Sequence, residues 1–241
     1  MKPAMPRRVW LTGASSGIGA ALAEELLKAG AQLALSARSR EPLEALAKRY
    51  PGRVLVVPGD LTDALQVREI GKRIAQAWGA LDTVILNAGT CEYIEVQQFD
   101  AALIERVLNT NLLAASYCIE AALPLLRAGN RPYLVGVASS VTCLPLPRAG
   151  AYGASKAALR YLLQSLRIDL AAEGIDVTLV SPGFVDTPLT ARNDFPMPMR
   201  WTAEQAARHI HRHLGRRPLE IAFPGPVSYT HLRAHETSLH L

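Results

Sequence analysis

The feature that most restricts how this chain folds is a glycine-rich segment between a short apolar run and a long helix-forming stretch. The apolar run covers residues 9–11, the glycine-rich segment covers residues 12–19, and the helix-forming stretch continues to Ala29. This order predicts a strand, a tight turn and a helix. Glycines let the turn approach a ligand closely, and the free N–H groups at the helix start attract an anion such as a pyrophosphate. Glycine turns of this kind also occur without a ligand.

Short apolar runs and amphipathic segments alternate along the rest of the chain. Further strands are predicted at 32–37, 54–57, 81–86, 133–138, 176–181 and 220–223, and helices at 41–50, 64–78, 99–126, 151–172 and 202–214. This alternation predicts right-handed crossovers and a parallel sheet with helices on both faces. The predicted fold class is therefore α/β, a single-domain Rossmann-type doubly wound sheet that binds ligands at the carboxyl ends of its strands.

The composition of the chain argues against several functional classes. Its 241 residues suffice for one domain, which we expect to cover residues 1–226. The 26 Lys and Arg residues exceed the 21 Asp and Glu residues, giving a net charge of +5, but their scattered positions favour a mixed solvated surface over nucleic-acid binding. Cys91, Cys118 and Cys143 have unrelated spacings, so neither a disulfide framework nor a zinc site is predicted. No long apolar run occurs, so we expect no membrane span and a cytoplasmic location.

The composition changes abruptly near the end of the chain. Residues 227–241 resemble one translated reading frame of a transposase adapter used in preparing sequencing libraries. We therefore expect a non-native, adapter-derived tail, and the fold prediction excludes it. The native chain beyond about residue 226 is then expected to be missing. The alternative is a genuine polar tail.

Four further motifs follow the glycine-rich segment in this order: Asn87-Ala88-Gly89, Asn111, Ser139, and the segment from Tyr152 to Lys156. The glycine-rich segment itself has the spacing Thr-Gly-x-x-x-Gly-x-Gly, which differs from the commoner G-x-G-x-x-G of dinucleotide-binding turns. Together these motifs resemble the classical short-chain dehydrogenase/reductase family, from about residue 7 to about residue 226. The resemblance implies an NAD(P)-binding oxidoreductase that acts on CH–OH and C=O groups.

Tyr152 and Lys156 are the candidate catalytic pair. They lie four residues apart in a predicted helix, so both side chains project from one face, where an ammonium stabilises a nearby phenolate. We therefore expect a lowered pKa for Tyr152 and a role as general acid or base. A Tyr/Lys pair at this spacing is more often a surface contact. Ser139 favours the functional interpretation, because it ends a predicted strand and the resemblance implies that it hydrogen-bonds the substrate carbonyl. Ser140 is chemically equivalent, and the spacing to Tyr152 favours Ser139.

Asn111 is the remaining candidate catalytic residue. It falls in the middle of a long predicted helix, where the amide of asparagine competes with backbone hydrogen bonds. The resemblance implies that Asn111 disturbs the helix locally and holds a water that relays protons to Lys156. Asn109 is expected to be an ordinary polar residue.

The end of the second predicted strand bears on the choice of cofactor. NAD enzymes usually place an acidic residue there, whereas this chain has Ala37 followed by Arg38, with Arg40 nearby. A guanidinium matches a 2′-phosphate, so NADP(H) is the preferred cofactor and NAD(H) is possible; solvated arginines are the alternative. The resemblance implies cofactor contacts from Gly13, Ser15, Ser16, Gly17, Ile18, Gly19, Arg38, Asp60, Leu61, Asn87, Ala88, Gly89, Tyr152, Lys156, Pro182, Gly183, Val185 and Thr187.

Residues 188–201 are too rich in proline for a regular helix. By position this loop matches the substrate lid of the family, with apolar contacts from Phe195, Met197 and Met199, although it is also compatible with a simple connection. His209 and His213 lie on one helical face, but no nearby ligand completes a site, so no metal is predicted. Cys143 is expected to be a buried, inert thiol rather than a substrate contact.

The predicted activity is NADP(H)-dependent hydride transfer between a nicotinamide and a small-molecule carbonyl or secondary alcohol, by a Ser-Tyr-Lys-Asn mechanism. Two alternatives stay open: a non-catalytic NADP(H)-binding regulatory protein, and a 3-oxoacyl-thioester reductase with a basic patch near its pocket. The apolar lid fits ketones, steroids, acyl chains and quinones equally well. The resemblance also implies a homodimer or homotetramer formed by the helices that begin near Phe99 and Ala151.

Overall fold

A parallel sheet organises the structure, a computed structural model that describes residues 7–225. The strands are β1 (Arg8–Thr12), β2 (Gln32–Ser36), β3 (Val54–Val56), β4 (Thr83–Leu86), β5 (Tyr133–Val137), β6 (Asp176–Pro182), β7 (Val185–Asp186), β8 (Trp201–Thr202) and β9 (Glu220–Phe223). Seven of them form one sheet in the order β3-β2-β1-β4-β5-β6-β9, and β7 pairs with β8 beside it. Every pair in the large sheet is parallel, which confirms the predicted fold class.

Helices cover both faces of this sheet. They are α1 (Gly17–Lys28), α2 (Glu41–Arg49), α3 (Ala64–Trp78), α4 (Ala101–Leu108), α5 (Ala114–Arg127), α6 (Gly150–Ala171) and α7 (Ala203–Leu214). The alternation of side chains along β1 divides the core, because Val9 and Leu11 pack towards α1 and α7 while Trp10 packs towards α3 and α5. The buried indole of Trp10 donates a 2.9 Å hydrogen bond to Ser36 Oγ on β2, which satisfies its polar atom.

The long helix predicted at 99–126 differs from expectation in two ways. It begins at Ala101, because the Asp100 carboxylate caps it by accepting a hydrogen bond from the Ala102 N–H. A single π-turn at Asn109–Leu113 then separates α4 from α5. Such a turn inserts one extra residue and commonly marks a functional site. The other predicted elements are present, with ends shifted by one or two residues.

The order of the strands creates a crevice at the carboxyl ends of β1 and β4. From β1 the chain winds outward to β2 and β3, and β4 then starts the second half on the other side of β1. The two connections therefore leave in opposite directions, which opens the ligand site typical of doubly wound sheets. Gly13 follows β1 and Asn87 follows β4, so both motifs meet at this crevice.

The predicted domain limit at residue 226 and the predicted non-native tail at 227–241 lie outside the described residues and stay predictions. Within residues 7–225, no helix is both long enough and apolar enough to cross a membrane.

Candidate active site

The turn between β1 and α1 has the geometry of an anion cradle. Gly13 and Gly17 adopt positive φ angles of 67° and 53°, which side-chain-bearing residues rarely adopt. A Cβ on Gly19 would lie 2.1 Å from the Gly13 carbonyl oxygen, so only glycine lets α1 start this close to the strand. Ser16 makes no side-chain capping hydrogen bond, and the first turn of α1 holds no acidic residue. The backbone N–H groups at this helix start therefore fit a pyrophosphate.

Thr12 and Asn87 fasten the carboxyl ends of β1 and β4 together. The buried Thr12 hydroxyl accepts hydrogen bonds from the N–H groups of Asn87 and Ala88, at 3.0 and 3.1 Å. In return the Asn87 side-chain amide donates to the carbonyl oxygens of Thr12 and Gly13, both at 3.1 Å. These four bonds hold the Asn-Ala-Gly motif against the glycine turn and so shape the floor of the crevice.

A cleft of about 740 Å³ extends along the carboxyl edge of the sheet. All eighteen residues predicted to contact the cofactor lie on its wall, from Gly13 at one end to Thr187 at the other. Ser139 also lines the cleft, whereas the buried Asn111 lies behind the wall and Asn109 reaches it. The cleft size suits an elongated ligand such as a dinucleotide.

The two arginines after β2 differ in their surroundings. Arg40 pairs with Glu44 at 3.4 Å. The Arg38 side chain lines the cleft, and within residues 7–225 no hydrogen bond, ion pair or ring contact reaches it. Arg38 therefore presents an uncompensated positive charge to a ligand, while the charge of Arg40 is partly neutralised.

Tyr152 sits in the first turn of α6, beside Ser139. Burial raises the pKa of Tyr152 to about 12, and a hydrogen bond with the Ser139 side chain only partly opposes this shift. The lowered pKa expected from the sequence is therefore wrong for the protein alone, because the cost of burying a phenolate outweighs its stabilisation by neighbours. The Ser139 Oγ accepts a 3.2 Å hydrogen bond from the Val141 N–H, which leaves its own O–H free to donate.

Lys156 lies one helical turn further along α6 and is only 4% exposed. Its Nζ is 6.0 Å from the centre of the Tyr152 ring and donates a 2.8 Å hydrogen bond to the Val137 carbonyl oxygen at the end of β5. Burial lowers the pKa of Lys156 to about 8. The amine can therefore change its charge near neutral pH, which an exposed lysine does not do.

The Asn111 side chain is held rigidly at the π-turn. Its Oδ1 accepts a 2.7 Å hydrogen bond from the Thr90 N–H, and its Nδ2 donates to the Thr90 carbonyl at 2.9 Å and to Ser155 Oγ at 2.8 Å. The Ser155 hydroxyl in turn donates to the Tyr152 carbonyl at 2.7 Å. This chain of bonds ties the π-turn to the first turn of α6. A Cβ on Gly89 would lie 3.1 Å from Asn111 Oδ1 and 3.2 Å from Lys156 Nζ, so these two polar atoms converge at one point.

The comparisons with known proteins agree with this geometry. The family model for short chain dehydrogenases matches residues 7–195. The chain belongs to the short-chain dehydrogenase family. An uncharacterised oxidoreductase of Myxococcus xanthus is 34% identical over 221 residues, which cover 90% of this chain and 87% of the relative. This short-chain dehydrogenase is therefore an oxidoreductase with an NAD(P)-binding Rossmann fold.

Solved structures show the same architecture. The Pseudomonas aeruginosa RhlG/NADP complex has a TM-score of 0.82 and 28% identity, and covers 93% of this chain and 98% of its own. A short-chain dehydrogenase/reductase of Burkholderia phymatum in complex with NAD has a TM-score of 0.88 and covers 99% of this chain and 96% of its own. Its identity is 22%, so this likeness concerns the fold alone.

Several residues of this dehydrogenase were not assigned to the site from the sequence. Thr12 and Ser155 are buried polar residues inside the quoted motifs, and that position was the signal that could have drawn attention to them. Cys91 lies close enough to Tyr152 and Lys156 to interact with both electrostatically. No sequence pattern singles out this cysteine.

The histidines and Cys143 have the surroundings of ordinary residues. The rings of His209 and His213 are 4.2 Å apart, and His213 Nδ1 lies 2.8 Å from the His209 carbonyl oxygen. Across residues 7–225, no three His, Cys, Asp or Glu side chains are grouped as metal ligands. Cys143 is half-buried rather than buried, with its sulfur 3.6 Å from Thr142 Oγ1.

Proposed function

We propose that this protein is an NADP(H)-dependent oxidoreductase that reduces a carbonyl group by a Ser-Tyr-Lys-Asn mechanism. The observation that carries the proposal is the convergence of Ser139, Tyr152 and Lys156 on the wall of one dinucleotide-sized cleft. A phenol whose pKa is raised to about 12 stays protonated at neutral pH and is therefore suited to donate a proton. A protonated phenol is the state from which a carbonyl reduction starts.

In the proposed reaction, each side chain acts on the substrate carbonyl from a fixed position. The Ser139 hydroxyl donates a hydrogen bond to the carbonyl oxygen, and the Tyr152 phenol transfers its proton to that oxygen as negative charge develops. A bound nicotinamide supplies the hydride. Burial of Lys156 beside Tyr152 makes the ammonium charge effective, because a low-dielectric site screens it poorly.

We propose that Lys156 returns a proton to Tyr152 and that the π-turn helps to hold Lys156 in place. With a pKa of about 8, Lys156 Nζ can release and recover a proton at neutral pH, and its bond to the Val137 carbonyl fixes its place. Asn111 does not line the cleft, so we propose that it positions the π-turn and Lys156 rather than touching the substrate.

The preference for NADP(H) rests on Arg38. Its guanidinium lines the cleft without a partner among residues 7–225, which suits a ribose 2′-phosphate. The solved RhlG structure of Pseudomonas aeruginosa is a complex with NADP, which supports a nicotinamide cofactor, and the preference rests on Arg38. Arg38→Asp should lower NADPH affinity by about tenfold or more, since a charge-assisted bidentate contact contributes 1.5–3 kcal/mol, and should raise the relative use of NADH. Arg40→Asp is the matched control, and an equal effect of both variants would contradict the assignment.

The activity is tested by following NADPH absorbance with a panel of ketones, aldehydes, quinones and 3-oxoacyl thioesters. Tyr152→Phe keeps the ring but removes the proton donor, so turnover should fall by about 100-fold or more while NADPH binding stays close to wild type. Binding is measured separately by NADPH fluorescence. Unchanged turnover in Tyr152→Phe would refute the mechanism. Tight NADPH binding without turnover on any member of the panel would favour the regulatory protein instead.

The thioester-reductase alternative requires free basic residues to receive an acidic carrier. Arg106 lines the cleft and Arg148 lies against the Tyr93 ring, and both are already neutralised. Arg106 pairs with Glu92 at 3.2 Å and with Asp100 at 3.6 Å. Arg148 is bound by two further carboxylates at 2.5 and 2.9 Å. This pairing favours an uncharged small molecule over a carrier-bound thioester.

A homodimer or homotetramer stays part of the proposal. Tyr161 and Ile168 are both 77% exposed on α6 and lie seven residues apart, so they share one apolar helix face. Such a face favours association with another copy of the chain, as the family resemblance implies.

A further inference from the structure

The loop after β7 carries an aromatic side chain that packs between two others. The Phe195 ring lies 5.8 Å from the Tyr93 ring at an interplanar angle of 87°, and 6.0 Å from the Phe184 ring at 60°. Both are edge-to-face contacts of the kind that stabilise aromatic clusters. Phe195, Asn193 and Met197 are partly buried, whereas Asp194 and Met199 are exposed. Alternate residues of this loop therefore face inward, and the apolar contacts expected from Phe195, Met197 and Met199 stay predictions.

Polar bonds fix this loop over the aromatic rings. The Tyr93 hydroxyl donates a 2.5 Å hydrogen bond to Asn193 Oδ1. Arg148 binds Asp194 at 2.9 Å and Glu95 at 2.5 Å, and its guanidinium carbon lies 5.3 Å from the centre of the Tyr93 ring. The contacts join three separate loops, so the position of Phe195 is set from two sides.

The aromatic cluster adjoins the catalytic residues. The Ile94 N–H donates a 2.8 Å hydrogen bond to the Arg148 carbonyl, and a Cβ on Gly150 would lie 3.3 Å from Ile94 Cδ1. The segment that carries Tyr93 therefore packs against the first turn of α6, where Tyr152 stands. The charge of Tyr152 contributes to raising the pKa of Tyr93, after burial and Cys91, so the two phenols are within electrostatic reach.

Phe184 reaches the same region from the other side. It stands between Gly183 and Val185, which both line the cleft. Phe195 thus bridges a ring beside the proton donor and a ring beside the cofactor cleft. All three rings are partly exposed, so each offers ring surface to a molecule bound beside Tyr152.

We propose that Tyr93, Phe184 and Phe195 form an aromatic wall that selects uncharged carbonyl substrates bearing an aromatic ring on the carbonyl carbon. Planar rings gain edge-to-face and stacking contacts on this wall that a saturated ring of the same size does not. Arg148, the cation against the wall, already binds two carboxylates, so it offers no free charge to an anionic substrate. The inference rests on the proposed carbonyl reduction and assigns its substrate class.

The test compares acetophenone with cyclohexyl methyl ketone, which differ in ring planarity but little in size. We expect kcat/KM with NADPH to be about tenfold higher for the aryl ketone, since two aromatic contacts of 0.5–1.5 kcal/mol each act together. Phe195→Leu keeps an apolar side chain and removes the ring, so it should reduce this ratio by about threefold. Phe99→Leu is the matched control, because Phe99 is 63% exposed and should leave the ratio unchanged.

Each outcome bears on one claim. If the wild type shows a ratio of kcat/KM values near one, or if Phe195→Leu and Phe99→Leu alter this ratio equally, the aromatic wall is overturned. Turnover of both ketones would still uphold the reductase activity. Turnover of aliphatic or quinone substrates only, abolished by Tyr152→Phe, would likewise overturn the wall and uphold the activity. Loss of turnover on every substrate, with NADPH binding retained, would instead contradict the proposed function itself. Thermal unfolding of Phe195→Leu checks that the variant is folded.

Discussion

Lys156→Met should make the protein without cofactor more stable at pH 7 and at the same time inactive. The amine of Lys156 is buried, and burial lowers its pKa from an ordinary value of 10.5 to about 8. At pH 7 the folded protein therefore holds an ammonium at a site that disfavours charge. Methionine has a similar length and shape and carries no charge, so it removes that cost without opening a cavity.

The magnitude follows from the pKa of Lys156 and its one hydrogen bond. Lowering a lysine pKa from 10.5 to about 8 on folding corresponds to about 3 kcal/mol, since each pKa unit is 1.36 kcal/mol. Methionine leaves the Val137 carbonyl without the 2.8 Å hydrogen bond from Nζ, which costs about 1 kcal/mol. The expected net gain in the free energy of unfolding is therefore about 2 kcal/mol.

The pH dependence has a defined sign. Between pH 8 and pH 10.5 the unfolded chain keeps the Lys156 proton that the folded protein has lost, so the stability of the wild type rises with pH in this window. Methionine does not titrate. The advantage of Lys156→Met should therefore be largest below pH 8, shrink above it, and vanish or reverse near pH 10.5.

The assay is urea unfolding of the wild type and Lys156→Met without nucleotide from pH 6 to pH 10.5, about the window set by the pKa of Lys156. The difference between their free energies of unfolding is compared at each pH, so that the contributions of other titrating groups cancel. Lys28→Met, at an exposed lysine that pairs with Glu25, is the control and should change stability by less than about 0.5 kcal/mol at every pH. A Lys156→Met variant that is less stable than wild type at pH 7, or a difference that stays constant across the window, would refute the reasoning.

Two further predictions concern the glycine turn and the loop over the aromatic wall. Gly19→Ala should cost about 3 kcal/mol of stability and weaken NADPH binding, because its Cβ would lie 2.1 Å from the Gly13 carbonyl oxygen. Gly215→Ala, whose Cβ meets no atom within 4 Å, is the control in both urea unfolding and nucleotide titration. Similar losses in both variants would contradict the anion cradle. Arg148→Gln should raise the KM for ketones by about fivefold, with kcat and the free energy of unfolding little changed, since exposed ion pairs are weak. Arg127→Gln, which breaks an exposed pair with Glu173 at 2.5 Å, is its kinetic control, and an unchanged KM in Arg148→Gln would argue against the loop contact.

The parallel strands and the residues that line the cleft followed from local sequence signals. Buried parallel strands are continuous apolar runs, which can be read directly from the sequence. Positions that need a positive φ or a close backbone contact require glycine, so they too are visible in the sequence. The π-turn at Asn109–Leu113 had only an indirect signal, the asparagine inside a helix. Its geometry depends on Thr90 and Ser155, which are distant in sequence and meet Asn111 only in the folded chain.

The aromatic wall had still less signal. Tyr93, Phe184 and Phe195 belong to three loops with no common periodicity, and their contacts depend on the bonds of Arg148 to Glu95 and Asp194. Sequence spacing describes neighbours within one element, whereas a loop is positioned by whatever it touches. The inward-facing Phe195 and the outward-facing Met199 therefore could not be told apart from composition.

The wrong prediction of a lowered pKa for Tyr152 bears on the roles proposed for Tyr152 and Lys156. Spacing on one helical face correctly placed Lys156 beside the phenol, but spacing says nothing about burial, which raises the pKa of the tyrosine and lowers that of the lysine. Burial therefore disfavours an ion pair between a Tyr152 phenolate and a Lys156 ammonium. It leaves a protonated phenol next to an amine that titrates near neutral pH. That arrangement suits a proton donor that is refilled after each turnover. In the proposed reaction, the same burial that costs stability at Lys156 gives Tyr152 a partner able to return its proton.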